Sequence, residues 1–325
     1  MILLDYPNST HILLIALIID ALIGDPAWVY TRISHPVTWI GKMISWGEQH
    51  GNRETRSEIQ RRLLGALTLV VTCLIAAGVA SLIVVIAQEI PIGWLFLSLV
   101  VSIFFAQRSL YEHVAAVADS LTTSLDTGRA AVARIVGRDT QRLDEAGVAR
   151  AAIESCAENF SDGIVAPIFW YVIGGLPGLV IYKTVNTADS IIGYRTPRYQ
   201  AFGLIAARLD DIMNIIPSRI ASILLGLATF LIYKDIHRKA AWSVTWYESR
   251  HHPSPNAGWP ESTIAGALNR ALAGPRHDGS HTTEYPWINA QASPIATIKD
   301  IRLALRLMVR ATGILWFCII GYGMV

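Results

Sequence analysis

Uncharged apolar runs alternate along this chain with short segments dense in Asp, Asn and Arg. Residues 63–87 (LLGALTLVVTCLIAAGVASLIVVIA) carry no charge. At about 1.5 Å per residue a helix of that length crosses a hydrocarbon core of roughly 30 Å. Residues 88–91 make a short turn, and the shorter apolar run 92–106 completes what reads as a transmembrane hairpin. Residues 12–24 are apolar but short for a span, and they hold Asp20, which should face protein or water rather than lipid. Residues 164–182 are broken by Pro167, Gly174-Gly175 and Pro177-Gly178, and 215–233 resemble them, with Arg219 near the entry. Broken apolar segments beside acidic groups suit discontinuous helices that line sites within membranes. The last run, 304–324, carries Arg306 and Arg310 at its start and reads as a span or an interfacial helix. The pattern predicts an all-α integral membrane protein, roughly four to six transmembrane or re-entrant helices in one domain over 1–325.

Charge adds an orientation. Residues 107–163 are helical in period and hold six arginines, and residues 25–62 hold six Lys or Arg. The turn at 88–91 and the first eleven residues have none. The positive-inside rule therefore predicts a cytoplasmic helical segment at 107–163, a cytoplasmic 25–62 and an N-terminus outside. Residues 234–303, basic and rich in Pro, Gly and His, read as a cytoplasmic loop segment. If 164–182 and 215–233 both span, the chain between them lies outside; if both are re-entrant, it stays cytoplasmic, as Lys183, Arg195, Arg198 and Arg208 favour.

Composition agrees with a membrane protein: 52% of residues are hydrophobic and only 16% charged, against about 25% in soluble domains. A net charge of +2 without basic clusters interleaved with aromatics argues against nucleic acid. The three cysteines are far apart and read as small apolar residues. The first residues lack the basic start of a signal peptide, so no cleavage is expected.

Candidate chemistry concentrates between Glu154 and Asn214. Glu154, Glu158 and Asp162 fall four apart and share a helix face. Asn159 and Asp162 form an N-x-x-D pair, repeated by Asn186 and Asp189, and Asp210, Asp211 and Asn214 make a third cluster. Oxygen-rich groups of this kind suit Mg²⁺ carrying phosphate oxygens. Asp162, Asp189, Asp210 and Asp211 are the candidate metal ligands. Lys183 and Arg208 stand ready for phosphate charge. Glu158, Asp162, Asp189 and Asp211 are expected to converge on one cytoplasm-facing cavity, with the two N-x-x-D pairs opposed. Helix caps and surface ion pairs are the competing reading.

Other groups are less specific. Asp25 and His35 precede prolines in turns, and His35 could carry a proton. Arg138 and Asp139 lie in a G-R-D-T turn, which is either functional or a helix start capped by Asp139 or Thr140. Ser254, Asn256 and Glu261 belong to a rigid S-P-N-A-G-W-P-E loop. His251, His252, His277 and His281 read as loop histidines rather than a metal site. No Walker A loop, G-x-G-x-x-G or H-E-x-x-H occurs.

Taken in order, these motifs resemble the adenosylcobinamide-phosphate synthase family, the CbiB/CobD membrane proteins of cobalamin biosynthesis. The resemblance rests on D-x-x-x-G-D-P at Asp20–Pro26, H-P-V-x-W-I-G at His35–Gly41 and I-V-G-R-D-T at Ile135–Thr140. It continues with E-x-x-A-E-N-x-x-D-G-I-V-A-P at Glu154–Pro167 and Y-K-x-V-N-T-x-D-S-x-x-G-Y at Tyr182–Tyr194. A-R-x-D-D within Ala206–Asp211 and the Ser254–Glu261 loop complete it. The chain departs from the family at Ala273-Gly274-Pro275, where a glycine pair is usual, and at Asn289-Ala290, where Gly-Asp is common.

The resemblance implies ATP-dependent amide ligation of an amino-alcohol phosphate to adenosylcobyric acid. ATP would be co-substrate and Mg²⁺ the cofactor. It also implies a multi-pass protein of the inner (plasma) membrane with a cytoplasm-facing site. The implied partners are the corrinoid, the amino-alcohol phosphate, membrane lipid and other late cobalamin-pathway membrane enzymes. Residue chemistry assigns Glu154, Glu158, Asp162, Lys183 and Asp189 to catalysis. Substrate or phosphate binding falls to Asp25, His35, Arg138, Asp139, Asn159, Asn186, Arg208, Ser254, Asn256 and Glu261. A small-molecule transporter and a silent membrane sensor are the alternatives.

Overall fold

The computed structural model describes residues 9–137, 139–232, 235–278 and 281–323. Contacts divide the chain into two compact units, residues 1–106 with 166–214 and residues 107–165 with 215–325.

The first unit contains α1 (Ser9–Ile23), α2 (Ala27–Tyr30), α3 (Pro36–Gly51), α4 (Glu58–Gln88), α5 (Gly93–Ser102), α9 (Ala166–Ile192) and α10 (Leu204–Met213). Helix α9 is its centre and packs against α1, α3, α4 and α10. Helix α1 buries Ile12, Leu13, Ala16, Leu17 and Asp20, one stripe at helical spacing. Asp20 is 2% exposed, so this carboxylate faces protein, as its cost in lipid demands. Ser57 and Gln60 form a reciprocal capping box at the start of α4. Along α4, Leu63, Leu67, Val70, Leu74 and Leu82 remain exposed, an apolar surface that water would not tolerate.

The second unit contains α6 (Gln107–Thr123), α7 (Leu125–Val132), α8 (Glu145–Phe160), α11 (Ile215–Ala228), α12 (Asp235–Glu248), α13 (Gly258–Leu268) and α14 (Ile298–Gly323). Its centre is α8, packed against α6, α7, α13 and α14, and buried along most of its length. Small residues (Ala149, Ala151, Ala152, Ala157) let those neighbours approach α8 closely. Segment 234–303, expected as loop, instead holds α12 and α13, which is buried at every residue but Trp259. Its apolar residues (Ile264, Ala265, Ala267, Leu268) sit among polar ones at no clean period, which hid the helix. Two small antiparallel pairs follow: β1 (Leu272–Ala273) with β4 (Trp287–Ile288), and β2 (Arg276–Asp278) with β3 (His281–Thr283).

The expected break at Gly174-Gly175 is present, because both leave helical backbone and Gly175 has φ 59°, a conformation that favours glycine. Pro167 breaks nothing. Lacking an N–H, it follows a widened π-type turn at Ser161–Val165, and the helix continues.

Among the described residues four helical stretches are long and apolar enough to cross a membrane: Glu58–Gln88, Gly93–Thr123, Glu145–Ile192 and Ile298–Gly323. Ile215–Leu231 becomes a fifth only when joined to Leu204–Met213. The chain is therefore an all-α membrane protein. The segment expected at 107–163 as cytoplasmic is not separate from these spans, since α6 continues one and α8 begins another.

Candidate functional site

Three motif segments meet within the first unit. His35 caps α3: its Nδ1 accepts from the Val37 N–H at 3.1 Å, while its Nε2 lies 3.1 Å from the Ile103 carbonyl. One nitrogen accepts and the other donates, so the ring is the neutral Nε2–H tautomer. Burial holds the His35 pKa below its ordinary value, and the Lys183 charge acts the same way. Asp25, 3.9 Å away, and the Ile103 carbonyl pull upward without prevailing. Tyr30 hydrogen-bonds Asp25 and lies 4.9 Å, ring to ring, from His35. Burial, then the Asp25 charge, pushes its phenol up to about 12. Tyr30 is a site residue that the sequence did not reveal, since it stands outside every motif.

A buried network forms around Asp210. Asp210 accepts from Asn186 Nδ2 at 3.3 Å and from Asn214 Nδ2 at 3.0 Å, and Asn214 Oδ1 accepts from the Tyr182 hydroxyl at 3.0 Å. Both Asp210 oxygens thus accept a side-chain amide, and the pairing holds Asn186 and Asn214 in place. Lys183 is close enough to act electrostatically on both His35 and Asp210. Lys183, Asn186 and Asp189, three apart on α9, are all half-buried. Asp211 is half-buried and feels Arg208 and Arg195; Arg208 itself is exposed.

In the second unit Glu158 is exposed, and Asn159 and Asp162 are half-buried. Asn159 Nδ2 donates to the Ser155 carbonyl and hydroxyl at 2.9 and 3.1 Å. Glu154 is buried and its Oε1 accepts from the Ala273 N–H at 2.8 Å. That bond holds the start of the 273–290 loop, whose far end is held by Glu248 accepting from the Asn289 N–H. Ala273 has φ 59°, Gly274 78° and Asn289 57°, so the loop needs left-handed backbone just where the chain departs from its resemblance.

Asp139 accepts from the Gln141 N–H at 2.9 Å, and the helix after this turn is capped by Asp144 instead. Neither Asp139 nor Thr140 is the expected cap. Arg138 lies outside the described residues. Ser254 Oγ accepts from the Asn256 and Ala257 N–H groups, so it shapes the loop before α13. Buried Asn256 accepts from Arg219 at 2.8 Å, and the Arg219 guanidinium lies 4.6 Å from the Trp259 ring centre. Buried Glu261 lies 3.6 Å from His252 Nε2. The sequence placed Arg219 only at a segment entry; no spacing links it to Asn256 and Trp259.

The proposed metal ligands Asp189, Asp210 and Asp211 belong to the first unit and Asp162 to the second. Among the described residues no three His, Cys, Asp or Glu side chains group as a metal site. Mg²⁺ that arrives on phosphate needs only one or two carboxylates, and Asp162, Asp189 and Asp211 are oxygen donors of that kind.

The sequence pattern of the CobD/Cbib protein family matches residues 13–308. A protein of Brucella suis biovar 1 named cobalamin biosynthesis protein CobD is 46% identical over 318 residues, 97% of each chain. Proteins of the same name from Brucella anthropi and Rhodobacter capsulatus are 47% and 43% identical, over 91% and 94% of each chain. No solved structure matches.

Proposed function

Because this chain belongs to the CobD/Cbib family of cobalamin biosynthesis proteins, we propose that it is the ATP-dependent ligase joining an amino-alcohol phosphate to adenosylcobyric acid. The observation that carries this reading is that Lys183 acts electrostatically on both His35 and Asp210 while Asp210 accepts from Asn186 and Asn214, which draws together three separated stretches of chain. A cation held beside amide and carboxylate groups suits phosphoryl chemistry.

In the proposed reaction a corrinoid carboxylate oxygen attacks the γ-phosphorus of ATP, and ADP leaves. The amine nitrogen then attacks the acyl carbon, forming the C–N bond as phosphate departs and the amine loses a proton. Lys183 holds phosphate charge. Of the two expected proton acceptors this reading favours the exposed Glu158, because Glu154 is buried and accepts from the Ala273 N–H. Mg²⁺, carried by phosphate and met by Asp162, Asp189 or Asp211, would neutralise charge on the transferring group.

The test is product formation and ADP release by purified protein supplied with ATP, Mg²⁺, adenosylcobyric acid and aminopropanol phosphate. Adenosylcobinamide phosphate with one ADP per product is expected. Corrinoid bound but unchanged, with no ADP formed, would reject the proposal.

A further inference from the structure

The second unit carries a groove of about 780 Å³ that none of the proposed chemistry uses. Its basic wall is one face of α14, where Arg302, Arg306 and Arg310 fall four apart and are all exposed. At about 1.5 Å per residue they form a ladder roughly 12 Å long. The opposite wall includes Tyr111 and Asp119 of α6, and Asp119 meets Arg302 at 3.4 Å. Leu231 and Val309 add apolar surface.

We propose that this groove binds the headgroup of an anionic phospholipid. Three arginines face one acid, so the groove has charge left over for an anion, and guanidinium groups match phosphate oxygens. Depth selects lipid over free phosphate. Helix α14 is long and apolar enough to span, and Arg302, Arg306 and Arg310 all lie in its first half. Arginines gathered toward one end of a span reach back along their long side chains to the headgroups. The apolar side of the groove is then available to acyl chain.

Native mass spectrometry of the detergent-purified full chain, titrated with phosphatidylglycerol or phosphatidylcholine, tests this. Retention of phosphatidylglycerol over phosphatidylcholine is expected. Arg302→Gln/Arg306→Gln/Arg310→Gln should weaken phosphatidylglycerol binding by about fivefold per arginine, roughly a hundredfold together. Asp119→Asn, which releases Arg302, should strengthen it by a few fold, about the worth of one exposed ion pair. These side chains are exposed, and an unchanged melt of each variant checks the fold. Equal retention of both lipids, binding that the triple substitution leaves intact, or weaker binding in Asp119→Asn would overturn the proposal. So would displacement of lipid by millimolar inorganic phosphate, which would mark a free-phosphate site.

Discussion

Tyr182 is fully buried, and its hydroxyl donates to Asn214, which donates in turn to Asp210. Removing the hydroxyl takes a donor from a buried amide, a loss of about 1–3 kcal/mol. Tyr182→Phe should therefore lower the melting temperature of the solubilised protein, whereas Tyr194→Phe, at a half-exposed ring, should not. Equal melts for the two would contradict the network. His35 makes a prediction of sign. Its folded pKa lies below the ordinary value of 6.5, so the unfolded chain takes up a proton first as pH falls. Stability contributed by neutral His35 is thus present above about pH 6.5 and is lost as pH drops from there towards the folded pKa. Melts between pH 7.5 and 5.5 should fall more steeply for the wild type than for His35→Gln. Asp189 offers a test of the proposed ligation. Asp189→Asn keeps size and hydrogen-bonding reach, so the expected outcome is an unchanged melt with product formation reduced about a hundredfold or more. Full turnover would remove Asp189 from the site.

At the scale of elements, the 273–290 loop depends on two backbone positions and two carboxylates. Ala273 is held at φ 59° while its N–H donates to Glu154. A left-handed alanine costs about 1–2 kcal/mol, part of which glycine would recover. Ala273→Gly should be neutral or raise stability by up to about 1 kcal/mol, whereas Glu154→Ala should destabilise by unpairing a buried N–H. Chemical denaturation of both variants is the check, and a Glu154→Ala protein as stable as wild type would return Glu154 to the candidates for chemistry alone. The same α8 segment shows how far periodicity reads. Its four-residue spacing put Glu154, Glu158 and Asp162 on one face, yet along it they run from buried through exposed to half-buried. Spacing reports direction around a helix, and neighbours at each level decide exposure.

For the whole molecule, orientation in the membrane is open to direct measurement. In a variant whose three cysteines are replaced, Gln141→Cys places a thiol on an exposed turn, where Thr140 next to it is buried. The arginine content of residues 107–163 predicts labelling from the cytoplasmic side only. Labelling from outside intact cells would invert the assignment. Much of the architecture was legible beforehand: the uncharged run of α4, the Gly174-Gly175 break and the protein-facing Asp20 follow from the incompatibility of charge or open backbone with lipid. The motifs also named Asp25, His35, Lys183, Asn186 and Asp210 without saying that they meet.

What the sequence determined by itself was therefore whatever depends on one segment and its solvent: helices, apolar faces, the Gly break and the family pattern. Tertiary structure alone decided which polar groups are partners. Asn186 with Asp210, Tyr182 with Asn214, Glu154 with Ala273 and Arg219 with Asn256 are between 24 and 119 residues apart. No local period records such distances. The buried helix α13 was likewise settled only by packing, because a helix covered on all sides needs no polar face and leaves no amphipathic signal in its sequence.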